Sequence, residues 1–414
     1  MRHSPRLWVG SALAAAAVGC ARPASLPAVG TEPELRIGVA ENRPSVALGG
    51  DGELILTDDA TGQPIGSIPA GVRWSVVPAP AGLRLVRPDG SQSEPHPGVF
   101  AVNVTEGRFA VADGRAYRGR LDVVRAAGGV LVVNRVSLEN YVAGTIGPEM
   151  GARRPEELSA LRAQAVVSRT YALKNRGRWE VQGLDAFADV RDQVYGGVAS
   201  ETPQVWDVVR ETAGQVIVYR GMPIDAYFHS TCGRTTAGVE EVFATAVARP
   251  YLRPVSDASA SGRYYCDISP RFRWREEWDA STLRAILSRT LPAVMNVGGD
   301  GLQPIADIEV TRTTRSGRVG ELRIVFERGD VRVPGPSVRS VLRPESGRLL
   351  GSQAFELHVT RDAGRVSHVV AAGAGWGHGV GFCQWGAIGR ARAGQDYRKI
   401  LATYFPGTSV EKLY

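Results

Sequence analysis

The segment Pro155–Asn175, "PEELSALRAQAVVSRTYALKN", constrains the fold more than any other stretch of the chain. Wound at about 3.6 residues per turn, it places Leu158, Leu161, Ala165 and Ala172 on one face and Ala160, Ala163, Val167 and Tyr171 on the opposite one. A surface helix carries a single apolar stripe, so a helix that is apolar on both sides must be enclosed. Pro155 suits the first helical turn, and Glu156 and Glu157 suit the positive end of the helix dipole. Arg162 and Arg169 sit two turns apart beside the first stripe. Arg169 is therefore expected inside, where its charge needs a partner, either a structural carboxylate or a bound substrate.

The rest of the sequence supplies strands to enclose that helix. From Leu35 to about Gly114 come short alternating runs such as "ELRIGVA", "ELILTD" and "LRLVRPDG", separated by turn dipeptides, which predict a small all-β unit over 35–114. "YRGRLDVVRAAGGVLVVNRVSLENYV" continues as a hairpin turning at Gly128 and Gly129. Beyond Ala199 come a strand, "GQVIVYRGMPIDAYFHS", a loop-rich stretch over 231–275 and a helical "DASTLRAILSRTL". Three further strand-like runs follow, "IADIEVTRTT", "VGELRIVF" and "FELHVTRD". A glycine-dense loop, a helix from about Gln384 and a second helix before Pro406 close the chain. No internal repeat is present. The expected fold class is α+β, with a β-rich mixed domain over 115–414 built around the buried helix.

The first twenty residues read as an export signal: Arg2 and Arg6, the short apolar run "LWVGSALAAAAV", then small residues. The run is too short to span a bilayer as a helix. "AVGC" resembles the lipobox of bacterial lipoproteins, with Cys20 as the lipidated residue and Ala17 where that pattern prefers Leu. Residues 21–34, rich in Pro, Ala and Ser, read as a flexible tether. The expectation is an exported, periplasmic lipoprotein that meets the membrane only through its lipid. The formal charge of +7 comes almost wholly from arginine, lysine occurring only as Lys174, Lys399 and Lys412. No basic run interleaved with aromatics stands out, which argues against nucleic acid as a partner.

One acid draws notice. "GTIGPEMG" reads as a small-residue elbow between the strand "GGVLVVNRVSLENYV" and the buried helix, and its only carboxylate is Glu149. Small neighbours let a polymer approach, and partial burial raises a carboxyl pKa toward neutrality. Helix capping is the structural alternative.

Four stretches, in order, resemble the stage II sporulation protein D family, which also includes amidase enhancers. They are "SLENYVAGTIGPEMGARRPEELSALRAQAVVSRTYAL", "DQVYGG", "AYFHSTCGRTTAGVEEVF" and "GWGHGVGFCQWGA", spanning roughly residues 115 to 410. The resemblance implies a peptidoglycan lytic transglycosylase that cuts between N-acetylmuramic acid and N-acetylglucosamine, leaving 1,6-anhydro ends, on strands freed of stem peptides. The glutamate of the family's "EM" pair maps onto Glu149 as general acid and base. One carboxylate suffices, because the sugar's 6-hydroxyl replaces water, whereas hydrolases pair two. Candidate substrate contacts are Arg169, Gln193, Tyr195, His229, Ser230, His378, Gln384 and Trp385, with His229 open to the alternative of a satisfied core histidine. The family's other branch supplies the second reading, a non-catalytic wall binder that enhances a cell-wall amidase.

His229, Cys232 and Cys266 form a further constellation. An exported protein favours a Cys232–Cys266 disulfide. Zinc on these three is the alternative, one ligand short of a closed site, so no cofactor is expected. Cys383 stands where the family usually has serine, and its thiol is expected to remain unpaired.

Overall fold

A computed structural model of the chain describes residues 30–103, 105–295, 297 and 304–414. Cys20 and the tether up to residue 29 lie outside the described residues. Strand Glu34–Arg43 pairs antiparallel with Gly129–Ser137, Leu35 opposite Val136, and parallel with the short strand Ala186–Phe187. The sheet continues through Arg120–Ala126, Gly98–Asn103 and Leu54–Asp58 to Pro64–Ile68. Seven strands from both sides of residue 114 thus share one sheet, across the expected domain boundary. A five-stranded sheet, ordered Gly82–Val86, Arg73–Ala79, Val46–Gly50, Ala110–Ala112, Arg115–Tyr117, packs on the same core. The alternation read in the sequence explains why: Leu35 and Ile37, Leu54 and Leu56, and Val130 and Val132 are buried in one core from three strands of the seven-stranded sheet.

That core runs without a break into the helical half. The central helix is Leu158–Lys174, preceded by one 3₁₀ turn, Pro155–Glu157. Residues of both its faces, Leu161 and Ala165 on one side and Ala163 and Val167 on the other, have no solvent exposure. Helices Leu138–Met150, Pro203–Glu211, Gln384–Arg392 and Tyr397–Tyr404, with strand Gln215–Tyr219, surround it. The enclosed helix is as the sequence predicts.

The elbow is not. Residues Leu138–Met150 form a thirteen-residue helix, so the strand ends at Ser137, "LENYV" is helical, and "GTIGPEM" is the end of that helix. Leu138, Tyr141, Val142, Ala143, Ile146 and Met150 recur at helical spacing and are buried, while Glu139 suits the first turn. The glycines serve close packing rather than turning. A Cβ on Gly144 would meet the Tyr195 ring at 2.3 Å, and one on Gly147 the Ser200 carbonyl oxygen at 2.4 Å. Pro148 cannot donate to the Gly144 carbonyl, and the Gly196 amide fills the gap at 3.0 Å. Gly151, at φ 66°, ends the helix and donates to the Gly147 carbonyl at 2.8 Å.

Residues 273–374 build a second core. Strands Arg273–Asp279, Arg365–Ala374 and Phe355–Asp362 form one sheet, and Ile305–Thr313, Val319–Phe326 and Gly329–Pro334 another. Helices Ala280–Met295 and Gly335–Val341 pack with them around Trp278, Leu287, Leu322, Ile324 and Val338. The chain leaves the main core just after Cys266 and re-enters it near Trp376, so this unit is an insertion. No helix among the described residues is long and apolar enough to cross a membrane.

Candidate functional site

Glu149 lies in the last turn of helix Leu138–Met150, half-buried, with Pro148, Gly151 and Ala152 exposed around it. One carboxylate oxygen accepts from the Val194 amide at 3.3 Å, and the other from the Gln384 side-chain amide at 3.2 Å. Both donors are neutral, and no cation pairs with Glu149 among the described residues. Burial pushes its pKa up, and the two hydrogen bonds only partly oppose the shift. The C-terminal position adds to it, since the helix dipole there disfavours negative charge.

Each donor is itself fixed from behind. Gln384, the first residue of helix Gln384–Arg392, also reaches the Gln164 side-chain oxygen at 3.4 Å. Gln164 in turn donates to Ser168 Oγ at 3.0 Å, and both are fully buried in the central helix. Val194 belongs to the "DQVYGG" loop. Asp192 anchors that loop by accepting from Trp179 Nε1 at 2.8 Å and the Phe187 amide at 2.9 Å. Gln193 donates to the Ser168 carbonyl at 3.2 Å, and the Tyr195 hydroxyl donates to Asn134 Oδ1 at 2.8 Å. The Tyr195 ring stacks on Tyr141 with centroids 5.2 Å apart.

Three expected substrate contacts are therefore supports. Gln193 and Tyr195 are 1% and 2% exposed and position the loop from beneath. Arg169, with no exposure at all, makes a two-point ion pair with Glu139, at 2.9 and 2.6 Å, and donates to the Gln215 carbonyl at 3.1 Å. Its charge is met inside the core, as a buried guanidinium requires.

Gln384 does come to Glu149, and Trp385 is the next residue of the same helix. Trp385 is half-buried, with the Arg153 guanidinium 5.9 Å from its ring centroid. Arg153 and Gln164 are residues that sequence reasoning missed. Arg153 lies four residues past the acid, a signal that was available, whereas Gln164 looks like any helical glutamine. The Ser230 carbonyl accepts from the Trp385 amide at 3.0 Å, while its hydroxyl lies 3.3 Å from Thr231 Oγ1. Residues Phe228–His229 pair parallel with Phe382–Cys383, which brings the histidine loop beside the glycine motif. His229 Nδ1 donates to the Val380 carbonyl at 3.1 Å, and its buried Nε2 has no partner among the described residues. Burial and the Arg318 charge push its pKa down to about 3, so the ring is neutral. Half-buried His378 accepts from the Val380 amide at 3.0 Å, its ring 5.5 Å from that of His229.

Behind this region the three downstream cysteines meet. Cys232, Cys266 and Cys383 are free buried thiols, with the sulfurs of Cys232 and Cys266 at 3.5 Å. Cys383, expected to stand alone, joins them, and so does Asp257; one ligand atom from each of the four lies within 4.8 Å of the others. His229 is outside this group. A separate cavity of about 470 Å³ opens between the main core and the insertion, bordered by Cys232, Arg234, Trp274, Arg318 and Glu356 but not by Glu149.

A family model described as Stage II sporulation protein matches residues 126–219, which contain the acid-bearing helix, the central helix and the "DQVYGG" loop. A second model, described as Domain of unknown function (DUF8618), matches residues 262–381, the insertion. The chain is 32% identical over 302 residues to an uncharacterized protein of Brachyspira hyodysenteriae, covering 72% of this chain and 73% of that protein. It is 28% identical over 291 residues to an amidase enhancer of Bacillus subtilis, covering 64% of this chain but 40% of the enhancer. Stage II sporulation protein D of the same organism is 25% identical over 296 residues, covering 68% and 76%.

Proposed function

This chain belongs to the stage II sporulation protein D and amidase enhancer family, which gives it a cell-wall-related role, and on that premise we propose that it is a lytic transglycosylase acting on peptidoglycan glycan strands. The observation that carries the reading is Glu149: a half-buried acid with a raised pKa, neutral hydrogen-bond donors and exposed small neighbours. A structural carboxylate inside a protein is normally matched by a cation, as Glu139 is by Arg169. Glu149 has no such cation among the described residues, and burial raises its pKa, the direction a general acid needs.

In the proposed reaction, protonated Glu149 gives its proton to the glycosidic oxygen as the bond from that oxygen to C1 of the muramyl sugar breaks. The sugar's 6-hydroxyl oxygen then bonds to C1, and its proton passes to the Glu149 carboxylate. The acid is restored, no water is consumed, and the product ends in a 1,6-anhydro ring. Val194 and Gln384 hold the carboxyl in place through both halves, and Trp385 offers a face on which a sugar ring can stack.

Glu149→Gln keeps the shape and cannot deliver the proton, a loss of about 10²–10⁴ in rate for the acid step alone. The expected result on peptide-stripped glycan is near-complete loss of anhydro-ended products by mass spectrometry, with glycan binding retained. Equal product release by the variant would return the protein to the other reading, a non-catalytic wall binder that enhances an amidase. That reading draws on the amidase enhancer relative. The site of action is proposed to be the periplasm, with Cys20 carrying the lipid. Cys20→Ser should move the protein from the membrane to the soluble periplasmic fraction, and unchanged membrane association of the variant would exclude the anchor.

A further inference from the structure

The mechanism leaves the buried cysteine cluster unused. Cys232, Cys266, Cys383 and Asp257 are 2%, 0%, 0% and 0% exposed, and they come from three segments of the chain, Asp257 and Cys266 sharing one loop. We propose that these four side chains form a structural zinc site that pins the insertion to the main core. The inference is independent of the reading of Glu149.

Geometry supports it first. With zinc–sulfur bonds of about 2.3 Å, tetrahedral ligation places sulfurs about 3.8 Å apart. The four ligand atoms here lie within 4.8 Å of one another, with Cys232 and Cys266 sulfurs at 3.5 Å. A disulfide would use two thiols and leave a third thiol and a carboxylate crowded against it. Three sulfurs and one carboxylate make a closed four-ligand set, the structural rather than the catalytic form of zinc site. The outer contacts suit thiolates: Cys383 Sγ accepts the Cys232 amide at 3.2 Å and the Gly386 amide at 3.3 Å, the latter from the first turn of a nine-residue helix.

Charge supports it second. Three thiolates, one carboxylate and a divalent ion sum to a net charge of −2, which the interior must offset. Arg390 donates to Asp257 at 3.1 Å. Arg318 is 1% exposed and donates at 3.2 Å to the Cys232 carbonyl and at 3.0 Å to that of Thr235. No carboxylate pairs with Arg318 among the described residues, and its Nε has no partner. A buried guanidinium facing only carbonyls is costly. A doubly negative centre beside it gives both arginines their counter-charge. The placement gives the site its purpose, since Cys266 precedes the insertion and Cys383 follows it. Gln384, which holds Glu149, is the next residue.

Binding releases the thiol protons to solvent and changes no oxidation state. The test uses the full-length exported protein, purified without reductant. Elemental analysis should give about one zinc per chain. Peptide mapping without reduction should find no cysteine-linked peptides, and alkylation of all three thiols should require a chelator. Replacement by cobalt(II) should produce thiolate-to-cobalt charge-transfer absorption. Asp257→Asn removes a direct ligand and should weaken zinc by more than the ~10–100-fold that loss of an outer-shell partner costs, measured in competition with a chromophoric chelator. A linked Cys232–Cys266 peptide in zinc-free protein would overturn the proposal, as would free thiols that take up no added zinc. An unchanged zinc affinity in Asp257→Asn would overturn the four-ligand assignment. The stoichiometry and mapping need no variant, so misfolding of a cysteine mutant cannot obscure the result.

Discussion

At the scale of residues, Glu149 and Glu139 sit on one helix and have opposite fates. Glu139 is half-buried too, but Arg169, Tyr414 and the Gly214 amide more than offset that burial and hold its pKa below the ordinary carboxyl value. Glu149 has no such cation, and its pKa rises. The sign of the stability effect follows. A native pKa above the unfolded one means that the folded state binds the proton more tightly. The corresponding stability is fully present below the unfolded value of about 4.3 and is lost as pH rises through the native pKa. Glu149→Gln removes a carboxylate that is costly when ionised. The variant should therefore melt at or above the parent temperature near neutrality, with the difference closing toward about pH 4. Melting curves across that range decide it. A variant that melts lower at neutral pH would mean that the ionised form is the stabilising one, as in a cap. Activity should follow the same group, with kcat/KM falling as pH rises through the Glu149 pKa.

At the scale of elements, the acid depends on how closely a helix and a loop approach. Gly144 lets the Tyr195 ring lie against helix Leu138–Met150, and Tyr195 is one residue from the Val194 amide that holds Glu149. Gly144→Ala places a methyl 2.3 Å from that ring. The expected cost is about 1–3 kcal/mol from overpacking, together with a larger loss of turnover than of glycan binding. Circular dichroism melts and product release measure the two; a full-rate variant would uncouple the loop from the acid. The same glycines explain what the sequence hid. In "GTIGPEM", Gly and Pro carry the composition of a turn, yet their reasons are close packing and a carbonyl satisfied by Gly196, both set by residues some 50 positions away. Long apolar periodicity was legible: the central helix, Ala280–Met295 and the two closing helices stand where their patterns put them. The site was legible as a set of motifs, and Gln384 does meet Glu149. Which motif residues face the acid was not, because a buried Gln193 and a substrate-facing one have the same local sequence. The cysteine cluster was half legible. Asp257 carries no spacing signal, and the partners of Cys383 lie more than 110 positions away.

At the scale of the whole molecule, the β-rich start is part of the same body as the acid. Strand Glu34–Arg43 covers one edge of Gly129–Ser137, and Gly98–Asn103 covers the outer edge of Arg120–Ala126. Their side chains fill one core with the helix that carries Glu149: Leu35 and Ile37 belong to the same cluster as Tyr141 and Ile146. Cutting the chain at the expected boundary near residue 114 would remove the partners on both sides of this hairpin. The remaining fragment would have two bare strand edges and an uncovered apolar face, a combination that aggregates rather than folds. A fragment of residues 115–414 is therefore expected to be insoluble or to lack a cooperative melt, even though it contains every residue assigned to the acid, its donors and the cysteine cluster. Supplying residues 30–114 as a separate chain during refolding should restore a cooperative transition, because the missing strands can pair from outside. Calorimetry of the fragment, alone and with the added strands, is the measurement. A lone 115–414 fragment that melts cooperatively at the parent temperature would show that the first strands form an independent unit, leaving the acid's position to the helices.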